Sequence, residues 1–171
     1  MPRTLVVYYS RTGNTRLVAE KLAQLLGADL EAIVDPTPRR GLLGFLRCGF
    51  QAVSGATPDI REAAHDPATY DAVLVGSPVW AARLSSPVRT YLQRHRRDFK
   101  SVAFFVTCGR DSDRALRQMA QASGCEPEAT LAIVDRELTA PGLADRLGAF
   151  ARRALAPAPA EPEPAAHAAH G

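Results

Sequence analysis

Apolar residues cluster in five short runs that are separated by longer polar and amphipathic stretches. The first run, residues 4–9, is almost continuously apolar and rich in β-branched and aromatic side chains. Runs of this kind are typical of parallel strands that are covered on both faces. The same reasoning predicts four more strands, at residues 28–34, 71–76, 101–107 and 130–134.

Apolar residues at helical spacing follow four of these runs. The helix after the first strand is predicted to end at Gly27, and the helix after the third strand begins where Ser85 or Ser86 is placed to cap it. Two further amphipathic helices are predicted around residues 115–120 and over residues 143–155. Strands that alternate with helices predict an α/β fold: a single doubly wound domain with a parallel sheet.

Length and composition are consistent with one globular domain. The chain has 171 residues, of which 46% are hydrophobic and 23% are charged, and a net charge of +3. A charge of this size favours acidic partners, and we expect no nucleic acid among them. No apolar run approaches the ~20 residues that a membrane span needs, and the N-terminus does not resemble a signal peptide. We therefore predict a cytoplasmic protein without a membrane span.

The three cysteines, Cys48, Cys108 and Cys125, are widely spaced and odd in number. They form no Cys-x-x-Cys pair, so the sequence supports neither a disulfide framework nor a zinc site. We expect no bound metal.

A polar loop joins the first strand directly to the first helix. It reads Ser10-Arg11-Thr12-Gly13-Asn14-Thr15. Its hydroxyl and amide side chains are hydrogen-bond donors, Gly13 permits backbone conformations that other residues avoid, and a helix N-terminus adds free N–H groups. The loop therefore has the chemistry of a phosphate-binding cradle, although a simple helix-capping turn would use the same residue types. It lacks the lysine of an NTP-binding loop and the spaced glycines of a dinucleotide fingerprint.

The spelling Ser-x-Thr-Gly-Asn-Thr after an N-terminal strand resembles the phosphate loop of the flavodoxin family, which binds flavin mononucleotide (FMN). This resemblance extends over about residues 3–154. It implies a flavodoxin-like domain with a five-stranded parallel sheet in the order 2-1-3-4-5 and helices on both faces; this order is taken from flavodoxins rather than derived. In that order the loops after strands one, three and four converge at the carboxyl edge of the sheet.

The loop after the third strand contains the only tryptophan of the chain, Trp80. A tryptophan in a loop at the ligand end of a sheet has a flat face available for stacking, although packing in the core is the alternative. By the resemblance, this loop would line the isoalloxazine ring of FMN, and Trp80 would cover one face of the ring. Its predicted cofactor-binding residues are Ser77, Pro78, Val79, Trp80, Ala81 and Ala82.

The loop after the fourth strand departs from the family. Its predicted cofactor-binding residues are Thr107, Cys108, Gly109 and Arg110, and it lacks the tyrosine that flavodoxins commonly place against the outer face of the flavin. That face is then either open or covered by the guanidinium of Arg110. A positive charge near the pyrimidine end of the flavin would raise its reduction potential.

Two segments carry predictions of another kind. Residues 36–58, rich in glycine, apolar and basic residues, form either the crossover helix between the second and third strands or a basic, apolar flap beside the cofactor that meets a substrate or partner. Residues 156–171 are rich in proline and alanine and predict a disordered tail. The domain is accordingly expected to span residues 1–155.

The sequence leaves four functions open. The leading one is a one-electron carrier between a reductase and an acceptor, with a redox partner protein; the second is an NAD(P)H-dependent FMN reductase that acts on a small-molecule acceptor such as a quinone or a nitro compound. The third is an FMN-binding module for sensing or regulation, with the basic residues 94–97 as its contact. The remote fourth is a cysteine phosphatase, because Cys108 and Arg114 have the C-x5-R spacing of its phosphate loop. For an FMN protein, the cofactor does the redox chemistry and no catalytic side chain is assigned.

Overall fold

A computed structural model describes residues 2–36 and 57–156 of the chain. The strands are β1 (Thr4–Tyr8), β2 (Asp29–Ala32), β3 (Ala72–Trp80), β4 (Arg83–Leu84), β5 (Val102–Cys108) and β6 (Thr130–Val134), and the helices are α1 (Asn14–Leu26), α2 (Ser86–Arg94), α3 (Asp113–Ser123) and α4 (Leu143–Ala154). Two 3₁₀ turns, Pro67–Thr69 and Asp135–Glu137, complete the described elements. Two predicted segments lie outside the described residues: most of the expected crossover helix or flap (residues 37–56, with Cys48) and the expected tail (residues 157–171).

The sheet confirms the predicted doubly wound, flavodoxin-like topology. Its five parallel strands follow the order β2-β1-β3-β5-β6, which is 2-1-3-4-5 when parallel strands alone are counted. The prediction of five strands is short by one, because β4 adds a two-residue antiparallel strand to the end of β3. The third strand is also longer than predicted: it continues past Gly76 to Trp80, since Ser77 and Pro78 still pair with β5.

Side chains of each central strand alternate between two apolar cores, one on each face of the sheet. In β1, Leu5 and Val7 face the same core as Val88 and Met119 of α2 and α3. The intervening Val6 lies in the opposite core with residues of α1 and α4. This two-sided burial explains why the strands read as continuous apolar runs rather than as alternating patterns.

The helices begin and end where local chemistry favours it. Gly27 and Gly124 end α1 and α3 in the left-handed conformation, with φ of 59° and 68°. Ser85 is the N-cap residue of α2, as predicted, with Pro87 in the first turn, but the Ser85 hydroxyl makes no bond to the helix amides. Within residues 2–36 and 57–156, no helix is both long enough and apolar enough to span a bilayer.

Candidate functional site

The carboxyl ends of the parallel strands lie along one edge of the sheet. Tyr8 of β1 is in register with Gly76 of β3, and Pro78 is in register with Thr107 of β5. The chain order reverses at β1, which lies between β2 and β3, so a switch point opens at this edge. In open α/β sheets, ligands bind outside the strand ends at such a point.

The loop between β1 and α1 provides an open cradle of backbone amides. Gly13 is its pivot, with φ of 102°, and no heavy atom lies within 4 Å of the position that a Cβ there would take. Its N–H donates to Ser10 Oγ at 3.1 Å, and its carbonyl accepts from the Leu17 N–H at 2.9 Å. As N-cap residue, Gly13 offers no side chain to the first-turn amides of α1, and that turn contains no acidic residue. Amides at a helix N-terminus with this environment can bind a phosphate group.

Two side-chain hydrogen bonds hold the start of α1 against the ends of β5 and β6. The hydroxyls of Thr15 and Thr107, both buried, are 2.8 Å apart and form a hydrogen bond in which either can be the donor. The side-chain amide of Asn14 donates to Asp135 Oδ1 at 2.9 Å. The structure thus brings the first and third predicted loops together, and it adds Asp135, which the sequence analysis missed. Its only sequence signal is a carboxylate directly after the last strand.

The second predicted loop is largely a tight hairpin rather than a loop. Trp80 of β3 pairs with Arg83 of β4, and the two residues between them, Ala81 and Ala82, have φ of 48° and 56°. Positive φ at both central residues is the mark of a type I′ turn, which usually requires asparagine or glycine. Two alanines give no such signal in the sequence, and the hairpin was therefore not predicted.

Hydrogen bonds from neighbouring elements hold the hairpin in place. Ser77 Oγ donates to the Pro78 carbonyl at 2.8 Å and lies 2.9 Å from Ser85 Oγ. The Leu84 N–H donates to Gln118 Oε1 of α3 at 2.9 Å. These bonds account for the serine at position 85, whose hydroxyl faces Ser77 instead of the helix amides.

Trp80 contacts the phosphate-loop side of the site through Tyr9. The two rings meet edge to face, with centroids 5.6 Å apart and an interplanar angle of 87°. Tyr9 is buried, whereas Trp80 is only partly buried, so part of the indole surface remains accessible. The sequence predicts Tyr9 only as the last residue of the first strand. Because it lies at the strand end, directly before Ser10, its ring reaches Trp80.

The third loop divides into a buried and an exposed half. Thr107 and Cys108 are buried, whereas Gly109 and Arg110 are exposed. Burial, together with the negative charge of Asp135, raises the pKa of the Cys108 thiol above its usual value. Gly109 and Arg110 therefore form the accessible surface of this loop, and no aromatic side chain occurs between Thr107 and α3.

The geometry opposes the cysteine phosphatase hypothesis. A catalytic cysteine requires a lowered pKa, and that of Cys108 is shifted the other way. The N-terminus of α3 is also occupied, because the Asp113 N–H donates to the Asp111 carboxylate at 3.1 Å. A phosphate dianion would meet negative charge at the position where such an enzyme needs free amides.

Comparison with known proteins agrees with this description. The family model described as NADPH-dependent FMN reductase matches residues 3–131. A flavoprotein from Lactobacillus acidophilus NCFM, solved in complex with FMN, is 23% identical with a TM-score of 0.70, covering 81% of this chain and 97% of its own. A WrbA-like flavodoxin from Agrobacterium tumefaciens is 16% identical with a TM-score of 0.57, covering 90% and 95%. Two-electron reduced flavodoxin from Megasphaera elsdenii is 21% identical with a TM-score of 0.50, covering 88% and 99%. No curated protein matches the chain.

Proposed function

Because this chain belongs to the family described as NADPH-dependent FMN reductase, and is thus a flavodoxin-like FMN-binding protein, we propose that it is an oxidoreductase that takes its electrons from NADPH. The observation that carries this proposal is the family match over residues 3–131. The electron carrier, which the loop sequences alone favour, thereby becomes the second candidate. Transfer of single electrons between partner proteins stays a prediction.

The phosphate of FMN would be held by Ser10, Arg11, Thr12, Gly13, Asn14 and Thr15. The donor set fits a phosphate: the first-turn amides of α1 lack an intrahelical partner, no acidic residue lies in that turn, and a Cβ at Gly13 would point into open space. The Thr15 hydroxyl can donate to a phosphate oxygen while it accepts the Thr107 proton. Asn14 retains its second amide hydrogen for the same purpose.

The ring of FMN would lie between the second and third loops. The residues concerned are Ser77 to Ala82, with Trp80 as the aromatic wall, and Thr107 to Arg110. The hydrogen bonds of Ser77 and Gln118 fix the hairpin that carries Trp80, so this wall is held before any ligand arrives. A preorganised wall reduces the entropy lost on binding.

FMN, when bound, would supply two-electron redox chemistry between NADPH and an acceptor. The residues of the chain would control access to the flavin ring and the charge around it. Because Gly109 and Arg110 stand in place of an aromatic cover and both are exposed among residues 2–36 and 57–156, a second planar ring could approach the flavin from this side. Arg110 would place a positive charge near the negative charge that accumulates on a reduced flavin. Quinones and nitro compounds, which are planar and accept two electrons, are the acceptors that we propose.

Anaerobic mixing with NADPH tests the proposal. The FMN-loaded protein is mixed with NADPH without oxygen, and the visible absorbance of the flavin is followed. We expect rapid and complete bleaching, followed by recovery of the absorbance when a quinone is added. Flavin that stays oxidised with both NADPH and NADH, but is reduced stepwise by a chemical reductant, would contradict the proposal and favour the electron carrier.

A further inference from the structure

The chain segment that builds the ring side of the site is entirely free of acidic residues. Between Asp71 and Asp98 the sequence contains five arginines and no aspartate or glutamate. This segment forms β3, β4 and α2, the strand, hairpin and helix next to Trp80. Two of the five arginines, Arg83 and Arg89, lie close to the hairpin and are both partly buried.

Arg83 lies directly beside the aromatic wall. It is the residue opposite Trp80 in the antiparallel pair between β3 and β4. Side chains of directly opposed residues project from the same face of a hairpin, with Cβ atoms about 5 Å apart. The Arg83 side chain therefore projects on the same side as the indole of Trp80.

Arg89 approaches Arg83 from the first turns of α2. Its N–H donates to the carbonyl of the N-cap residue Ser85 at 3.1 Å, which places it one helical turn from the hairpin. Burial and the positive charge of Arg83 both lower the pKa of Arg89. Across residues 2–36 and 57–156, neither guanidinium forms an ion pair with an acidic side chain.

The two partly buried guanidinium groups of Arg83 and Arg89 lower the stability of the folded protein. Removing a guanidinium from water is unfavourable unless an anion compensates, and two like charges close together add to the cost. An arginine elsewhere in the fold shows the contrast: Arg146 of α4 bonds to the carboxylate of Glu137 at 2.6 Å. Local violations of the rules for stability concentrate at functional sites. An anionic ligand between Arg83 and Arg89 would remove the penalty.

We propose that Arg83 and Arg89 bind a phosphate group of the nicotinamide nucleotide that reduces the flavin. The planar, multiply donating guanidinium is well matched to phosphate oxygens. The position next to Trp80 places this phosphate beside the ring rather than at the FMN phosphate cradle, which lies at the start of α1. The inference rests on the proposed function, because it assumes a nucleotide reductant.

Binding of oxidised nucleotide tests the inference without turnover. NADP⁺ is titrated by calorimetry into the FMN-loaded protein for wild type, Arg83→Gln, Arg89→Gln and the control Arg152→Gln, an exposed arginine on α4. We expect the dissociation constant for NADP⁺ to rise about tenfold or more in the two site variants and to stay unchanged in the control. Arg89→Lys, which keeps the charge, should retain part of the affinity.

Two controls separate a ligand contact from a structural role. The thermal midpoint should stay the same or rise in Arg83→Gln and Arg89→Gln, because each removes one of two repelling charges. FMN affinity should stay within about twofold of wild type. A repeat with NAD⁺ identifies the phosphate: an equal loss for both nucleotides indicates the diphosphate, and a loss for NADP⁺ alone indicates the ribose 2′-phosphate.

Failure of this inference and failure of the proposed function give different results. If wild type binds NADP⁺ and is reduced by NADPH, but the site variants bind NADP⁺ as wild type does, the inference is wrong and the proposed function stands. If wild type neither binds NADP⁺ nor is reduced by NADPH, the proposed function and the inference fail together.

Discussion

The hydroxyl of Thr15 has two roles. It is buried at the start of α1, bonded to Thr107, and it is one of the residues that we propose to hold the FMN phosphate. Thr15→Val keeps the shape of the side chain and removes the hydroxyl. We expect FMN affinity to fall about tenfold or more, because a hydrogen bond to a charged group contributes about 1.5–3 kcal/mol. Fluorescence titration of the apoprotein with FMN measures this change.

Thr107→Val is the matched control for Thr15→Val. Both variants lose the same 2.8 Å hydrogen bond and leave one buried hydroxyl without its partner, at a cost of about 1–3 kcal/mol in the free energy of unfolding. They differ in the part of FMN that each residue is proposed to face: Thr15 lies in the phosphate cradle, whereas Thr107 lies on the ring side. Riboflavin, which has the ring but no phosphate, is therefore titrated as well, and a loss of riboflavin affinity in Thr15→Val as large as its loss of FMN affinity would show that Thr15 does not act on the phosphate.

At the residue scale, the sequence reveals only some of the residues that form the candidate FMN site at the strand ends. The donors of the first loop are visible in the sequence because they are adjacent in the chain. Tyr9 and Asp135 were missed because their roles arise from contacts across the sheet edge, to Trp80 and to Asn14. Asp135 is separated from Asn14 by 121 residues, and no local pattern links the two.

The hairpin between β3 and β4 stores backbone strain. Ala81 and Ala82 both have φ in the left-handed region, where an L-residue with a Cβ is disfavoured by about 1–2 kcal/mol. We predict that Ala81→Gly and Ala82→Gly each raise the free energy of unfolding, by up to about 1 kcal/mol after the entropy of glycine is subtracted. Urea denaturation measures the change.

Ala149→Gly provides the contrast for these substitutions. Ala149 is exposed in the interior of α4, where the backbone is helical. The same chemical change there should destabilise the protein by about 1 kcal/mol, because glycine is a poor helix former. If the hairpin variants are destabilised as much as Ala149→Gly, the left-handed turn does not form in solution.

The 3₁₀ turn after β6 is held by one carboxylate. Glu137 accepts from the Val134 N–H at 2.8 Å and from Arg146 at 2.6 Å. The backbone hydrogen bond, followed by Arg146, lowers the pKa of Glu137 below its usual value. A lowered pKa in the folded state contributes stability above the unfolded pKa, and this contribution is lost as the pH falls through the folded pKa.

We therefore predict that Glu137→Gln lowers the thermal midpoint at neutral pH and that the difference from wild type disappears in acid, below the lowered pKa. Glu126→Gln, at an exposed glutamate that follows α3, is the control. Thermal melts at several pH values measure both. A difference from wild type that persists unchanged into acid would mean that the carboxylate charge is not what holds the turn.

At the scale of elements, the sequence predicts the existence and type of the strands and helices better than their boundaries. The buried parallel strands were recognisable because they are covered on both faces. The end of β3 was wrong by four residues, since Ser77-Pro78 resembles a loop start although both residues pair with β5. The short strand β4 was missed because an alanine pair does not signal a tight turn. It is held by contacts that are distant in sequence, namely the hydrogen bond from the Leu84 N–H to Gln118 and the burial of the Leu84 side chain in the core.

For the whole molecule, strand order decides which loops meet. The order was taken from flavodoxins, and the structure has it. Without it, three unusual loops would have been separate observations, because hydrophobic patterning predicts strands but not which strands are neighbours. With it, residues 10–15, 77–82 and 107–110 share one edge. Thr15 of the first loop bonds to Thr107 of the third, and Tyr9, directly before the first loop, contacts Trp80 of the second.

The most direct measurement of whether these loops form one FMN site compares FMN with riboflavin, which has the same ring and no phosphate. The apoprotein is titrated with each while the fluorescence of Trp80, the only tryptophan, is followed. We predict one FMN per chain, strong quenching of Trp80, and affinity for FMN at least about tenfold above that for riboflavin. Equal affinities would contradict the phosphate cradle at α1, and binding without quenching would contradict a ring site beside Trp80.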